Sequence, residues 1–285
     1  MKTLLHITGC LTAVFAVASC AKEAAEAASA AEGTLVPVTI QASVPAATRT
    51  DLDGTTPVWL DGDAIGVFTS DGTLCPQAFT TDDDYSASAT FSGMKPEYSR
   101  LSMAFYPYSA DAGVDGDVLT LNLPRQQGGT PADAVMVSLG NEQNGFTFEN
   151  VCCLVKMNIP SSLSVRQVEI VRNDQVSGPF TVDTSDSPFP VEGLSDLSDH
   201  QDRRAWVKTS YNLSGTVFLS VLPSSSTRLE MALTNASGKV GFIATDFRTG
   251  IPYEAGRIKN LGTIPAGTVF QDAALVANPS ATQVG

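Results

Sequence analysis

Val36 to Asp51 reads V-P-V-T-I-Q-A-S-V-P-A-A-T-R-T-D. Val36, Val38, Ile40, Ala42 and Val44 share one parity, and Pro37, Thr39, Gln41 and Ser43 take the other. A period of two is the mark of a strand with one buried face. Pro45 ends the run, and Ala46-Ala47-Thr48 leads to a single basic residue, Arg49, ahead of the turn-forming Asp51-Leu52-Asp53-Gly54. A buried strand followed by an arginine in a loop reads as a removable first strand, with Arg49 and Thr50 flanking the candidate cut. The plainer reading of Arg49 is a solvated loop residue.

The remainder of the 285 residues is long enough for one large or two ordinary domains. A formal net charge of -13 disfavours an electrostatic grip on nucleic acid phosphates or on an anionic membrane face. Charged residues make up only 16% against 43% hydrophobic, with many Gly and Pro breaks between Thr- and Val-rich runs, which favours a secreted all-β chain.

Residues 1–19 have the form of a signal peptide: Met1-Lys2, an apolar stretch from Leu4 to Ala18, then Val17-Ala18-Ser19 before Cys20. The stretch is too short for a comfortable membrane span. Val17 to Cys20 resembles a bacterial lipobox, which implies that Cys20 is the lipidated first residue of the mature chain. Residues 20–33, Ala-rich and without large apolar side chains, read as a tether between lipid and domain. Three cysteines then remain, Cys75, Cys152 and Cys153. Neighbouring Cys152 and Cys153 point to opposite faces of a strand and pair poorly with each other. One bridge from Cys75 and no bridge at all both stay open.

Short strands are expected at Val58–Leu60, Ala64–Phe68, Thr73–Phe79, Ala87–Phe91, Leu101–Tyr108 and Val118–Leu123, with polar turns at Asp82–Asp84 and Asp111–Gly116. Residues 124–145 interrupt the alternation and form the natural boundary zone. The rhythm restarts at Phe146 and Phe148 and runs through Val151 to Ile159, Val165–Val171 and Phe180–Val182. A polar stretch, Asp183–Arg204, reads as loop. Ala205–Lys208, Thr216–Leu222, Leu229–Thr234, Val240–Thr245 and Arg257–Ile264 complete a second set, with a hairpin turn at Asn235–Gly238. The expected division is 34–140 for an N-terminal β-sandwich, 141–267 for a C-terminal one and 268–285 for a tail. Val269, Phe270, Leu275 and Val276 give that tail more apolar surface than a solvated end needs, so it calls for a sheet edge, its own or a neighbour's.

Catalytic and metal-binding patterns are absent from the sequence. His6 falls in the signal peptide and His200 in a polar loop, and no nucleophile elbow, phosphate loop or dinucleotide fingerprint occurs. Asp111, Asp115 and Asp117 lack calcium-loop spacing. Two carboxylates among thirty acidic residues would suffice for a glycosidase, yet nothing in the sequence selects a pair. Trp59, Tyr106, Tyr108 and Trp206 could form a sugar-stacking platform, although Trp59 beside Ile65 and Phe68 reads better as core.

Several stretches together resemble the fimbrillin family, the pilin-like lipoproteins that build type V pili of Gram-negative bacteria. They are the lipobox, Ala47-Thr48-Arg49-Thr50 with Leu52-Asp53-Gly54, Trp59 through Gly62-Asp63-Ala64-Ile65-Gly66-Val67-Phe68, and Phe105-Tyr106-Pro107. In the second half they are Phe146 to Asn150 with Leu154-Val155-Lys156, Thr216 to Pro223, and Tyr253 to Arg257. The resemblance implies an all-β chain of two tandem transthyretin-like β-sandwiches, without enzymatic activity, cofactor or metal. It implies export as a lipoprotein to the outer membrane and the cell surface. A trypsin-like protease then cuts after Arg49, the strand Val36–Val44 departs, and a strand from another pilin subunit fills the groove. The tail is the candidate donor. The alternative is a lipid-anchored surface module that binds a glycan or a host ligand and does not polymerise.

Overall fold

The computed structural model describes residues 34–44, 58–197 and 200–273. The described chain is all-β: strands joined by turns and short 3-10 turns.

The first strands are β1 (Leu35–Ser43), β2 (Ala64–Thr69), β3 (Phe79–Thr80), β4 (Ser88–Pro96) and β5 (Leu101–Tyr106). β6 (Gly113–Asp115), β7 (Val118–Leu123) and β8 (Gln126–Gln127) follow, then β9 (Met136–Asn141), β10 (Gly145–Thr147) and β11 (Glu149–Asn150). Neighbours in the first sheet run β10-β1-β4-β3-β2-β5-β9-β11, and β10 also pairs with β9. The sheet therefore closes on itself, with β1 held between β4 and β10. Closure removes the free edges that an open sheet would expose. Ile65, Val67, Phe79, Phe91, Ala104, Phe146 and Phe148 fill its interior.

β2 and β5 are buried on both faces, because a small second sheet covers their outer side. Phe68, Met103, Phe105 and Val137 point into that layer and meet Leu119, Leu121 and Leu123 of β7 together with Phe180 and Val182. The latter two belong to β14 (Gly178–Asp183), which pairs with β7 along its whole length; β15 (Val191–Gly193) lies beyond β14, and β6 lies beyond β7. Strand pairing thus crosses residues 140 and 141.

The last unit is a sandwich. One layer is β12 (Cys153–Ile159) between β17 (Gly215–Val221) and β20 (Ile258–Thr263). The other contains β13 (Val165–Arg172), β16 (Arg204–Leu213), β18 (Ser224–Asn235), β19 (Val240–Tyr253) and β21 (Phe270–Gln271), with β8 at its far edge. Val155, Met157, Val168, Ile170, Leu219 and Leu233 interlock between the layers.

Five local expectations need correction. Val58–Leu60 is not a strand: Trp59 alone bridges Ser86. Residues 124–145 contain β8, β9 and the start of β10. Ala134 to Ser138 are all buried, so β9 shows no alternation to read. The stretch 183–204 contains β15 and a 3-10 turn, gathered by Asp202. Its carboxylate accepts from Arg125 Nη2 at 2.7 Å and from the Ser195 hydroxyl, while its backbone carbonyl accepts from Val176 and Ser177. Asp111–Gly116 holds β6. Between Thr73 and Phe79 the backbone is not a continuous strand: Leu74 bridges Phe68, and only Phe79 enters β3. The hairpin turn at Asn235–Gly238 forms, with Asn235 Oδ1 accepting from Ser237 and Lys239.

Candidate functional site

β1 is antiparallel to β4 over nine residue pairs, from Leu35↔Pro96 to Ser43↔Ser88, and parallel to β10 at Ala42↔Phe146 and Ser43↔Thr147. Its burial is graded. Val36 and Val38 are half-buried, whereas Ile40, Ala42 and Val44 are 2%, 0% and 4% exposed. The C-terminal half of the strand therefore carries the apolar contacts, and Gln41 on the outer face donates instead to Thr90 Oγ1 at 2.8 Å.

The aromatic group beneath that half fixes its position. Trp59 is 1% exposed and packs edge-on against Phe91, Tyr106 and Phe148 at centroid distances of 5.0, 5.5 and 5.3 Å. Its Nε1 donates to the carbonyl of Ala42 at 3.2 Å, so the indole ties β1 to the core through a polar contact as well as an apolar one. Tyr106 donates its hydroxyl to Asp63 Oδ1 at 3.1 Å, and Asp63 Oδ2 accepts from the Leu60 amide at 2.8 Å. Burial, with the Asp63 carboxylate adding to it, pushes the Tyr106 hydroxyl well above its ordinary pKa. Trp59 and Tyr106 are buried, while Tyr108 and Trp206 are half-buried.

The seam with β10 depends on two glycines. Gly145 has φ +74°, and a Cβ there would lie 2.7 Å from the Gln41 carbonyl oxygen; on the β9 side of β10, a Cβ at Gly140 would lie 2.2 Å from the Gly145 carbonyl oxygen. Beyond the seam, the Phe148 amide donates to Ser43 O at 2.8 Å. Where β1 ends, a mostly apolar cleft of about 280 Å³ opens between Val44, Trp59, Met136, Leu154, Arg257 and Ile258.

Cys20, Arg49, Thr50, Leu275 and Val276 lie outside the described residues. Of the other tail residues, Val269 is largely exposed, and Phe270 packs on the C-terminal core beside Gly241. Gln271 pairs with Val240, the first residue of β19, and the pairing is antiparallel. Cys75, Cys152 and Cys153 are free and buried, and the two neighbours enter different cores. Desolvation pushes the Cys75 and Cys153 thiols up to about 11 and that of Cys152 to about 12.

Ring closure is the feature that sequence reading missed. A signal for its hairpin was present: Asn141 and Asn144-Gly145 form a turn in which Asn141 Oδ1 accepts from the amides of Gln143 and Asn144. The pairing of β10 with β1 has no such local signature.

These residues define a class: an all-β protein whose first strand closes a ring and whose next residues carry an arginine. No family model matches the chain, and no curated protein matches it. Among solved structures it is similar to a candidate cell adhesion protein from Bacteroides uniformis, at 16% identity and TM-score 0.45, covering 82% of this chain and 95% of that one. It is also similar to a fimbrial assembly protein from Parabacteroides distasonis, at 8% identity and TM-score 0.37, covering 80% and 91%. A third is the tip fimbrial protein Mfa3 from Porphyromonas gingivalis with a C-terminal truncation, at 10% identity and TM-score 0.35, covering 84% and 98%.

Proposed function

We propose that the chain is a structural or accessory pilin subunit of a cell-surface fimbria, anchored through a lipid on Cys20 and assembled by strand exchange after a protease cuts behind Arg49. The observation that carries this reading is the position of β1. It is the one strand of the closed ring that precedes the arginine-bearing connection, and it is paired on both sides. Its loss would leave Trp59, Phe91, Phe146 and Phe148 facing a slot bordered by the unpaired edges of β4 and β10. A strand entering that slot would restore the ladder and the apolar contacts together, which is the physics of β-augmentation.

The tail supports the donor role. Among the described residues its strand pairing with β19 is that of Phe270 and Gln271. Residues 274–285 would reach ~40 Å if extended at ~3.3 Å per residue, more than the nine-residue β1 requires. The subunit on this reading acts by binding, not by turnover. Its site is the slot, and its partners are other pilin subunits and a trypsin-like surface protease.

Mass spectrometry of protein extracted from the cell surface tests the proposal. Assembled material should begin at Thr50, and unprocessed material at a diacylated Cys20. Fibre-borne chains that still begin at Cys20 and carry an intact β1 would defeat it.

A further inference from the structure

A second cavity, of about 310 Å³, lies on the C-terminal unit and is built around arginine. Arg172, His200, Arg203, Arg204, Arg228 and Glu230 line it. Four of the chain's seventeen Lys and Arg residues thus meet in one hollow of a protein with net charge -13, and Glu230 is the single carboxylate among the lining residues.

The strand ladder explains the convergence. Val171 on β13 stands between Arg204 of β16 and Glu230 of β18 on one rung, and directly opposed residues share a face of a sheet. Arg228, two residues from Glu230, falls on that same face, and the 3-10 turn His200–Arg203 supplies the rim. Three of the guanidinium groups already have carboxylate neighbours. Arg204 Nε lies 2.7 Å from Glu169, Arg228 contacts both Glu230 and Asp246, and Arg172 Nε lies 3.1 Å from Asp174. Arg172 is further fixed by Nη2 donating to the carbonyls of Gln175 and Leu222 and by stacking 4.4 Å over Tyr253.

Arg203 differs in having no carboxylate partner among the described residues. Its Nε, like Nε and Nη1 of Arg172, is shut off from water without a hydrogen-bond acceptor. Native structures seldom leave such a donor unmet, and a ligand is one of the usual reasons when they do.

We infer that this cavity binds an oxyanion, a sulfate or phosphate group, with Arg203 as its principal ligand and Arg204 and Arg228 as flanking donors. Guanidinium groups suit this role because they present forked N–H pairs to oxyanions. The volume is at the small end of the ~300–1,000 Å³ usual for ligand pockets, which leaves room for the organic residue that carries the anion. The inference is independent of the slot left by β1, and a failure of either leaves the other standing.

The test is isothermal titration of the full-length chain with inorganic sulfate, inorganic phosphate and a sulfated disaccharide. Saturable binding at one site is expected. Arg203→Gln should weaken it ~tenfold, the scale of one charge-assisted hydrogen bond, and Arg203→Lys should restore only part of it. Glu230→Gln should tighten binding by removing the competing carboxylate, a gain that a merely structural role would not produce. Arg100→Ala, at an exposed arginine on the first unit, should leave affinity unchanged. Equal affinity for sulfate and the disaccharide would support recognition of the free ion; tighter disaccharide binding would support a sulfated glycan as the source. Unchanged urea midpoints would show that the variants still fold. The absence of saturable binding to all three probes, or equal losses in Arg203→Gln and Arg100→Ala, would overturn the inference.

Discussion

Cutting the chain after Arg49 should release β1, and the structure gives the scale. Ile40 and Val44 are buried and Ala42 is fully enclosed, while Val38 is partly covered. At ~1.5–3 kcal/mol for each large aliphatic side chain, the strand's apolar contacts contribute on the order of 5–8 kcal/mol. The ladder to β4 adds net hydrogen-bond stabilisation of ~0.5–1.5 kcal/mol per bond, but ordering each residue of an extended peptide costs ~1–2 kcal/mol, so these two largely cancel. While the chain is intact, the short connection holds the strand at an effective concentration in the millimolar range or above. Once cut, the strand must also meet an association cost of at least ~4 kcal/mol. Little more than ~1–4 kcal/mol remains, which corresponds to a dissociation constant of ~1 mM or weaker. At micromolar protein the strand should leave, and the opened body should self-associate.

The assay is cleavage of the mature chain by an arginine-specific protease, followed by size-exclusion chromatography with mass detection. The fragment ending at Arg49 should separate, the body beginning at Thr50 should run as oligomers, and a synthetic peptide of residues 34–49 at millimolar concentration should suppress them. Arg49→Gln should block cleavage at this position. Co-elution of fragment and body at micromolar concentration, or an unchanged urea midpoint after cutting, would refute the reasoning.

Trp59→Phe keeps most of the ring contacts but removes the donor to Ala42 O; a loss of ~1–3 kcal/mol in urea unfolding is expected. Gly145→Ala places a methyl against the Gln41 carbonyl at a positive φ, costing at least ~1–2 kcal/mol, and amide exchange at Phe148 should accelerate as the β1–β10 seam loosens. Cys75, Cys152 and Cys153 should resist a thiol reagent at pH 8 in the native protein and react fully in denaturant, since burial raises each pKa. Their folded values exceed the ordinary 9.0, so their contribution to stability is whole below pH 9 and is lost as pH rises towards 11 to 12. A urea midpoint independent of pH between 8 and 11 would contradict this.

The alternation from Val36 to Val44 was legible because side-chain parity is a local property of a strand, and β4, β7 and β12 were legible for the same reason. β9 was not. Its residues meet the ring interior on one side and the β7–β14 layer on the other, so burial on both faces removes the period. β8 was hidden differently. Gln127 is a buried polar residue whose amide donates to Pro124 O and Ser220 O and accepts from Ser220 N, so its burial rests on hydrogen bonds that no hydrophobic pattern reports.

The candidate site divides along the same line. A strand with an arginine behind it can be nominated from one window of sequence. Its role as the closing member of a ring requires Ala42 to meet Phe146 across a hundred residues of chain, and nothing near either residue encodes that meeting. The arginine cavity repeats the point, since β13, β16, β18 and a 3-10 turn each supply a part. On the proposed reading, what fits β1 for exchange is therefore its two partners more than its own residues. Mutations at Gly145 or Trp59, remote from the proposed cut, should loosen the strand as effectively as mutations within it, because they act on the pairing that holds it in place.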